Sequence, residues 1–202
     1  WIVGPERAAS LIESREVTVL DTRKAALWKS GHLEGAVRVD WQQFTPGAKA
    51  DRGELLEQDE ALQSKLRRLG ISGERPVLVV GNPPDNWGED GRIVWMLRTL
   101  GHDRVALVDG GHRALVEAGL EETTSAVEPS VGDFEVGRRA DWSAERGQVR
   151  RLIEERSAEA VVLDVRSRRE YDGETPYGES RGGHIPGAEH LHYRALMGED
   201  GR

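Results

Sequence analysis

Gly182-Gly183-His184-Ile185-Pro186-Gly187-Ala188, running on into Glu189-His190-Leu191-His192-Tyr193, nearly repeats an earlier stretch of the same chain. That stretch is Gly31-His32-Leu33-Glu34-Gly35-Ala36, running on into Val37-Arg38-Val39-Asp40-Trp41. Ahead of each lies an apolar run closing on Asp-x-Arg. The first is Val19-Leu20-Asp21-Thr22-Arg23 and the second Val161-Val162-Leu163-Asp164-Val165-Arg166. Two landmarks recurring in one order mark a tandem repeat. Asp21 and Asp164 are 143 residues apart, His32 and His184 152 apart. The second copy therefore carries about nine extra residues, placed at Gly173-Glu174-Thr175-Pro176-Tyr177-Gly178-Glu179-Ser180-Arg181. By the later shift Arg202 corresponds to Ala50, so what the first copy builds from Ala50 to Gly119 has no counterpart in the second.

The first copy reads as alternating strands and helices. Pro5 opens a helix with Ala8, Ala9, Leu11 and Ile12 on one stripe, since a missing N–H costs nothing in the first turn. Val17 to Leu20 and Val37 to Val39 are short buried strands, with Trp28 in a short helical or loop segment between them. Residues 44–53, with Pro, two Gly and charges, form a loop, and Gln58 to Leu69 is an amphipathic helix closed by Gly70. Val77-Leu78-Val79-Val80 is apolar without alternation, which suits a parallel sheet covered on both faces. A polar loop, Gly81 to Gly91, leads to a helix expected over Arg92 to Leu100, a strand over Val105 to Val108, and a helix from His112 to Ala118. Alternating strands and helices indicate an α/β fold with a mainly parallel sheet. Residues 121–141 lack periodicity and read as a surface linker, after which Ser143 is expected to cap a helix bearing Val149, Leu152 and Ile153. A strand over Ala160 to Leu163 restarts the repeat. The expected domains are thus 1–120, a linker at 121–141, and the N-terminal half of a second copy at 142–202. Without its central strand that half exposes sheet edges and apolar faces, and it is not expected to fold alone.

Hydrophobic content of 37% and charged content of 32% suit a globular protein with a wetted surface. A net charge of −8 argues against a nucleic-acid or anionic-membrane partner, both of which need a basic face. No apolar run approaches the ~20 residues of a membrane-spanning helix, and no leader-like segment opens the chain. The location expected is cytoplasmic; a leader removed ahead of Trp1 would make it periplasmic or secreted instead. Cys is absent, so these residues hold no disulfide, thiolate nucleophile or thiolate metal site.

The pattern resembles the rhodanese (thiosulfate sulfurtransferase) family in its tandem-domain form. The match is carried by the two Asp-x-Arg strand ends and the two Gly-His-x-x-Gly-Ala motifs. The first copy adds the run from Arg92 to His102 and Val108-Asp109-Gly110-Gly111. The resemblance implies a Cys on the loop after the central strand, at the start of the next helix, where backbone N–H groups lower its pKa and hold an anion. It implies that this thiolate takes sulfane sulfur from thiosulfate or 3-mercaptopyruvate and passes it to cyanide or another thiol, with no cofactor. In tandem members only the second domain carries the Cys. The Gly81 to Gly91 loop holds none, and the second-domain loop would lie past Arg202. The expected partners are a small anionic sulfur donor and, if the chain is nicked near Gly198-Glu199-Asp200-Gly201, a second polypeptide bearing the rest of domain 2. The competing reading is a catalytically inactive rhodanese-like module used for interaction or regulation. A phosphatase on the same fold is a third, which the tandem arrangement disfavours.

The resemblance places His32 and His184 as structural groups that pack and hydrogen-bond their loops. Asp21 with Arg23, and Asp164 with Arg166, are expected as structural ion pairs at strand ends. In the family an Arg just ahead of or within the Gly-His-x-x-Gly segment can reach the substrate anion from the side opposite the Cys loop. The resemblance thus makes Arg181 the candidate substrate contact, and a guanidinium fork suits thiosulfate or a carboxylate. Trp95 is read as core or domain interface. His190 and His192 share strand-like spacing with no carboxylate cluster beside them, so no metal is assigned.

Overall fold

The computed structural model describes residues 1–47, 53–155, 160–199 and 201–202. They divide into two compact units, Trp1–Trp142 with the last residues from 200, and Ser143–Glu199.

The first unit is built on five strands: β1 (Ile2–Val3), β2 (Thr18–Asp21), β4 (Val37–Arg38), β5 (Val77–Val80) and β6 (Val105–Val108). They lie in the order β1-β6-β5-β2-β4, and every pair is parallel. Strand β5 is central, and all four of its residues are buried. Its side chains alternate between two clusters, as a pleat requires. Val77 and Val79 join Leu20, Leu62, Leu66, Ile93 and Leu97 on one face. Leu78 and Val80 join Ala8, Val19, Leu33 and Leu115 on the other. Helices α3 (Asp59–Arg68) and α4 (Glu89–Thr99) cover the first face, and α1 (Pro5–Glu13) and α5 (Gly111–Glu117) the second. Helix α3 ends where Gly70 turns at φ 77°, with Ile71 N donating to Leu66 O at 3.3 Å. Helix α2 (Ala25–Ser30) carries Trp28.

Three differences from the sequence reading have physical causes. Helix α4 starts at Glu89, not Arg92. Glu89 accepts from Trp87 N at 3.0 Å, ahead of the Gly88 cap, and Asp90 accepts from Gly91 N in the first turn at 2.9 Å, so two carboxylates sit at the positive N-terminal end of the helix. Helix α6 (Arg146–Glu154) is opened by Glu145, whose N–H donates to Gln148 Oε1 at 2.7 Å; Ser143 does not cap it. The segment 121–141 is fastened to the first unit. Strand β7 (Glu122–Thr123) pairs antiparallel with β3 (His32–Leu33). Phe134, 3% exposed, sits in the core with Ile71, and Gly132 N donates to Arg67 O at 2.8 Å. Of the loop expected at 44–53, residues 48–52 lie outside the described ones, as does residue 200 of the expected nick.

In the second unit β8 (Leu163–Asp164) pairs parallel with β9 (Glu189–His190). The strand expected over Ala160 to Leu163 is thus two residues long and later, having one partner where β2 has two. Helix α7 (Arg168–Asp172) carries Tyr171, and Ser167 and Glu170 close its capping box. The extra residues form a loop pinched at its base, where a side chain on Gly182 would collide with Gly173 O.

Candidate functional site

The carboxyl ends of the parallel strands gather the residues singled out in the first unit. Asp21 ends β2 and turns back on Arg23: the guanidinium Nε and Nη2 donate to both carboxylate oxygens at 2.7 to 3.1 Å. Nη2 also reaches Gly31 O at 2.8 Å. The pair is almost fully buried, with side-chain exposures of 5% and 1%. His32, fully buried, lies between Nδ1 on Trp28 O at 2.8 Å and its face stacked on Trp28 at 3.8 Å.

The second unit repeats these contacts atom for atom. Arg166 bonds both oxygens of Asp164 at 2.6 to 3.2 Å and reaches Gly183 O at 2.8 Å. His184 bonds Tyr171 O at 2.9 Å and stacks on Tyr171 at 3.7 Å. The ladders match too: Leu20 pairs with Val37 and Leu163 with Glu189, offsets of 143 and 152 residues. The surroundings differ. Leu20 is 0% exposed and Leu163 51%, and Val161, Val165 and Ile185 are also exposed. Arg166 is held above its usual pKa by its bonds to Asp164, whose own carboxyl is held below the usual range by the same contact. Arg181 is exposed, in the pinched loop, and among the described residues it has neither an ion pair nor a hydrogen bond. His190 bonds Arg166 O at 2.9 Å and His192 packs edge-on to Tyr193. Among the described residues no group of three His, Cys, Asp or Glu could hold a metal ion.

The loop from Gly81 to Gly88 joins β5 to α4. It contains no sulfur. Asp90, 8% exposed, tucks its carboxylate against Gly81, where a Cβ would meet Oδ2 at 2.1 Å. Burial pushes this carboxyl above its usual pKa, against the bonds from Gly91 N and Asn86 that favour the anion. A recess of about 200 Å³ beside the loop is lined by Thr22, Lys24, Arg38, Trp41, Trp87 and Glu89. Trp95 is half-buried; its N–H donates to Trp142 O at 2.8 Å and Arg92 lies over its ring at 4.3 Å.

Three groups have no signature in the sequence. Asp90 is one. The second and third are His112, at the start of α5, and Glu122, on β7: His112 Nε2 lies 3.3 Å from Glu122 Oε1, outside hydrogen-bond geometry. Burial and the nearby Arg23 cation hold His112 below its usual pKa. Only the β3–β7 pairing brings Glu122 there, and a two-residue strand has no period to read.

Residues 4–118 match the Rhodanese-like domain family model. The chain is 30% identical over 211 residues to the sulfur carrier protein TtuD of Thermus thermophilus, covering 99% of this chain and 72% of that protein. It is 27% identical to a thiosulfate sulfurtransferase of Azotobacter vinelandii, covering 97% and 70%. Its structure resembles the crystal structure of SseA from Escherichia coli, a 3-mercaptopyruvate sulfotransferase. The TM-score is 0.82 at 26% identity, covering 100% of this chain and 78% of that one.

Proposed function

Because the chain belongs to the rhodanese-like family, we propose that it is the larger part of a tandem sulfurtransferase whose reactive cysteine lies outside these 202 residues. The reading is carried by one observation. The Asp-Arg-Gly and His-aromatic contacts of a complete unit recur at Asp164, Arg166 and His184, yet the strand they sit on is half bare, with Leu163 51% exposed. A sheet half bare on that face is one that further polypeptide covers, and the covering strand is the one whose loop would carry the thiol.

The chemistry is sulfur transfer in two balanced displacements. The thiolate attacks the outer sulfur of thiosulfate, the S–S bond breaks, and sulfite leaves with the bonding pair. The persulfide's outer sulfur is then attacked by cyanide, giving thiocyanate and the starting thiolate. With 3-mercaptopyruvate as donor, pyruvate leaves in place of sulfite after proton uptake. The chain's own contribution is positional. Arg181, a free exposed guanidinium, takes the donor's anionic end, and a bidentate fork suits both sulfonate-like and carboxylate oxygens. The two Asp–Arg pairs and stacked histidines hold their loops, and the first unit, with Asp90 tucked against Gly81, supplies no nucleophile of its own.

Cyanolysis assays with thiosulfate and with 3-mercaptopyruvate test this on the chain alone and on the protein read past Arg202. The longer protein is expected to release thiocyanate and the chain alone none. A longer protein with Asp or Ala in place of the loop cysteine, and no turnover of either donor, would establish the inactive interaction module instead.

A further inference from the structure

A cleft of about 1070 Å³ opens in the first unit, away from the carboxyl strand ends, where α1 ends and β2 and β5 begin. Its floor is apolar: Ile12, Val17, Val19, Leu33 and Leu120. Four glutamates line it, Glu13, Glu34, Glu121 and Glu122, against two arginines, Arg15 and Arg75. The arginines offset only part of this charge, and four carboxylates against two guanidiniums leave a formal surplus of two. Arg75 is tied to the carbonyls of Arg15 and Val17 at 2.6 and 3.0 Å, and Arg15 lies 3.6 Å from Glu34. One side is the segment leaving β7, with Ser125 and Val127 in the lining. Among the described residues, the main-chain groups from Ala126 to Val131 bond to no other main-chain group, though the segment is pinned at both ends. Thr123 pairs with His32, and Gly132 N bonds Arg67 O. Val127 is 48% exposed.

We propose that this cleft docks an extended, cationic polypeptide segment with alternating apolar side chains, contributed by a partner protein. At about 1070 Å³ the cleft lies at the upper end of the range usual for small-ligand sites, about 300–1,000 Å³. An extended strand presents alternate side chains to one face, which would place apolar groups on the floor. Main-chain groups at Ala126 and Val127, beside the cleft, are open to pairing with such a segment. The surplus of carboxylates selects a basic partner and discourages an acidic one. This inference does not depend on the sulfurtransferase reading, since none of the residues lining the cleft belongs to the loop at Gly81.

Fluorescence anisotropy with a labelled Lys-Val alternating peptide and the whole protein tests it, with a Glu-Val peptide as control. The Lys-Val peptide is expected to bind, more weakly as salt rises, and the Glu-Val peptide not. Glu34→Lys with Glu121→Lys, both exposed, should weaken Lys-Val binding about tenfold and leave tryptophan emission unchanged. Equal binding of both peptides, or indifference to the charge reversal, overturns the proposal. So does concentration-dependent dimerisation that the same reversal abolishes, which would assign the cleft to a second copy of this chain. Displacement of the peptide by equimolar octylamine would overturn it in favour of a small amphipathic amine.

Discussion

Leu20 and Leu163 stand at matching places in the two copies, one 0% and the other 51% exposed. Truncating each to alanine therefore measures how far the second sheet is covered. Leu20→Ala removes a side chain packed between β5 and β4 and leaves a cavity, so it should cost ~2–5 kcal/mol. Leu163→Ala in this chain forfeits only about half of the ~1.5–3 kcal/mol of full burial and creates no cavity, about 1 kcal/mol. In the protein read past Arg202, the cost at Leu163 should climb into the Leu20 range if the proposed further strand lies against it. All six tryptophans fall in the first unit, so urea unfolding followed by tryptophan emission reports Leu20→Ala. Hydrogen exchange of the amides around β8 reports Leu163→Ala in both lengths of protein. A Leu163→Ala cost that stays near 1 kcal/mol in the longer protein would refute the covered-sheet argument.

Removing Arg23 leaves the Asp21 carboxylate buried without its partner. Arg23→Gln should cost ~3–5 kcal/mol in urea unfolding, against less than ~1 kcal/mol for Arg166→Gln, whose guanidinium is 43% exposed. Phe134→Ala should cost ~3–5 kcal/mol read by tryptophan emission, showing that residues beyond Gly119 belong to the first unit's core. Burial holds His102 and His112 below their ordinary pKa of 6.5. Their neutral forms favour the folded state, so the stability they contribute is whole above pH 6.5 and is lost as pH falls through their lowered values. A double His102→Gln, His112→Gln protein should show a flatter decline of the urea midpoint between pH 7 and 4; an unchanged slope would contradict this.

The strands and the helix periods were legible because burial on both faces leaves no polar residue in Val77 to Val80, and because Gly70 sits where only a positive φ closes a helix. The repeat was legible because glycines and an ion pair recur where the backbone needs them. What escaped was held by single contacts. Phe134 is one aromatic in a polar stretch, and one anchor has no period. Strands β1, β3 and β7 are two residues each, too short for alternation. The start of α4 was misplaced because Glu89 and Asp90 look like loop residues until their carboxylates are seen on Trp87 N and Gly91 N. Arg181 reads as a candidate from its position alone, and among the described residues it has no partner.

The central claim, that a cysteine beyond this chain carries sulfur against the frame built by Asp164, Arg166 and His184, meets its most direct test in intact mass. The protein read past Arg202 is exposed to thiosulfate, weighed, then treated with cyanide and weighed again. The account predicts a gain of one sulfur atom, lost to cyanide and absent from the variant with serine at the loop cysteine. A mass unchanged by thiosulfate and by 3-mercaptopyruvate alike would contradict it.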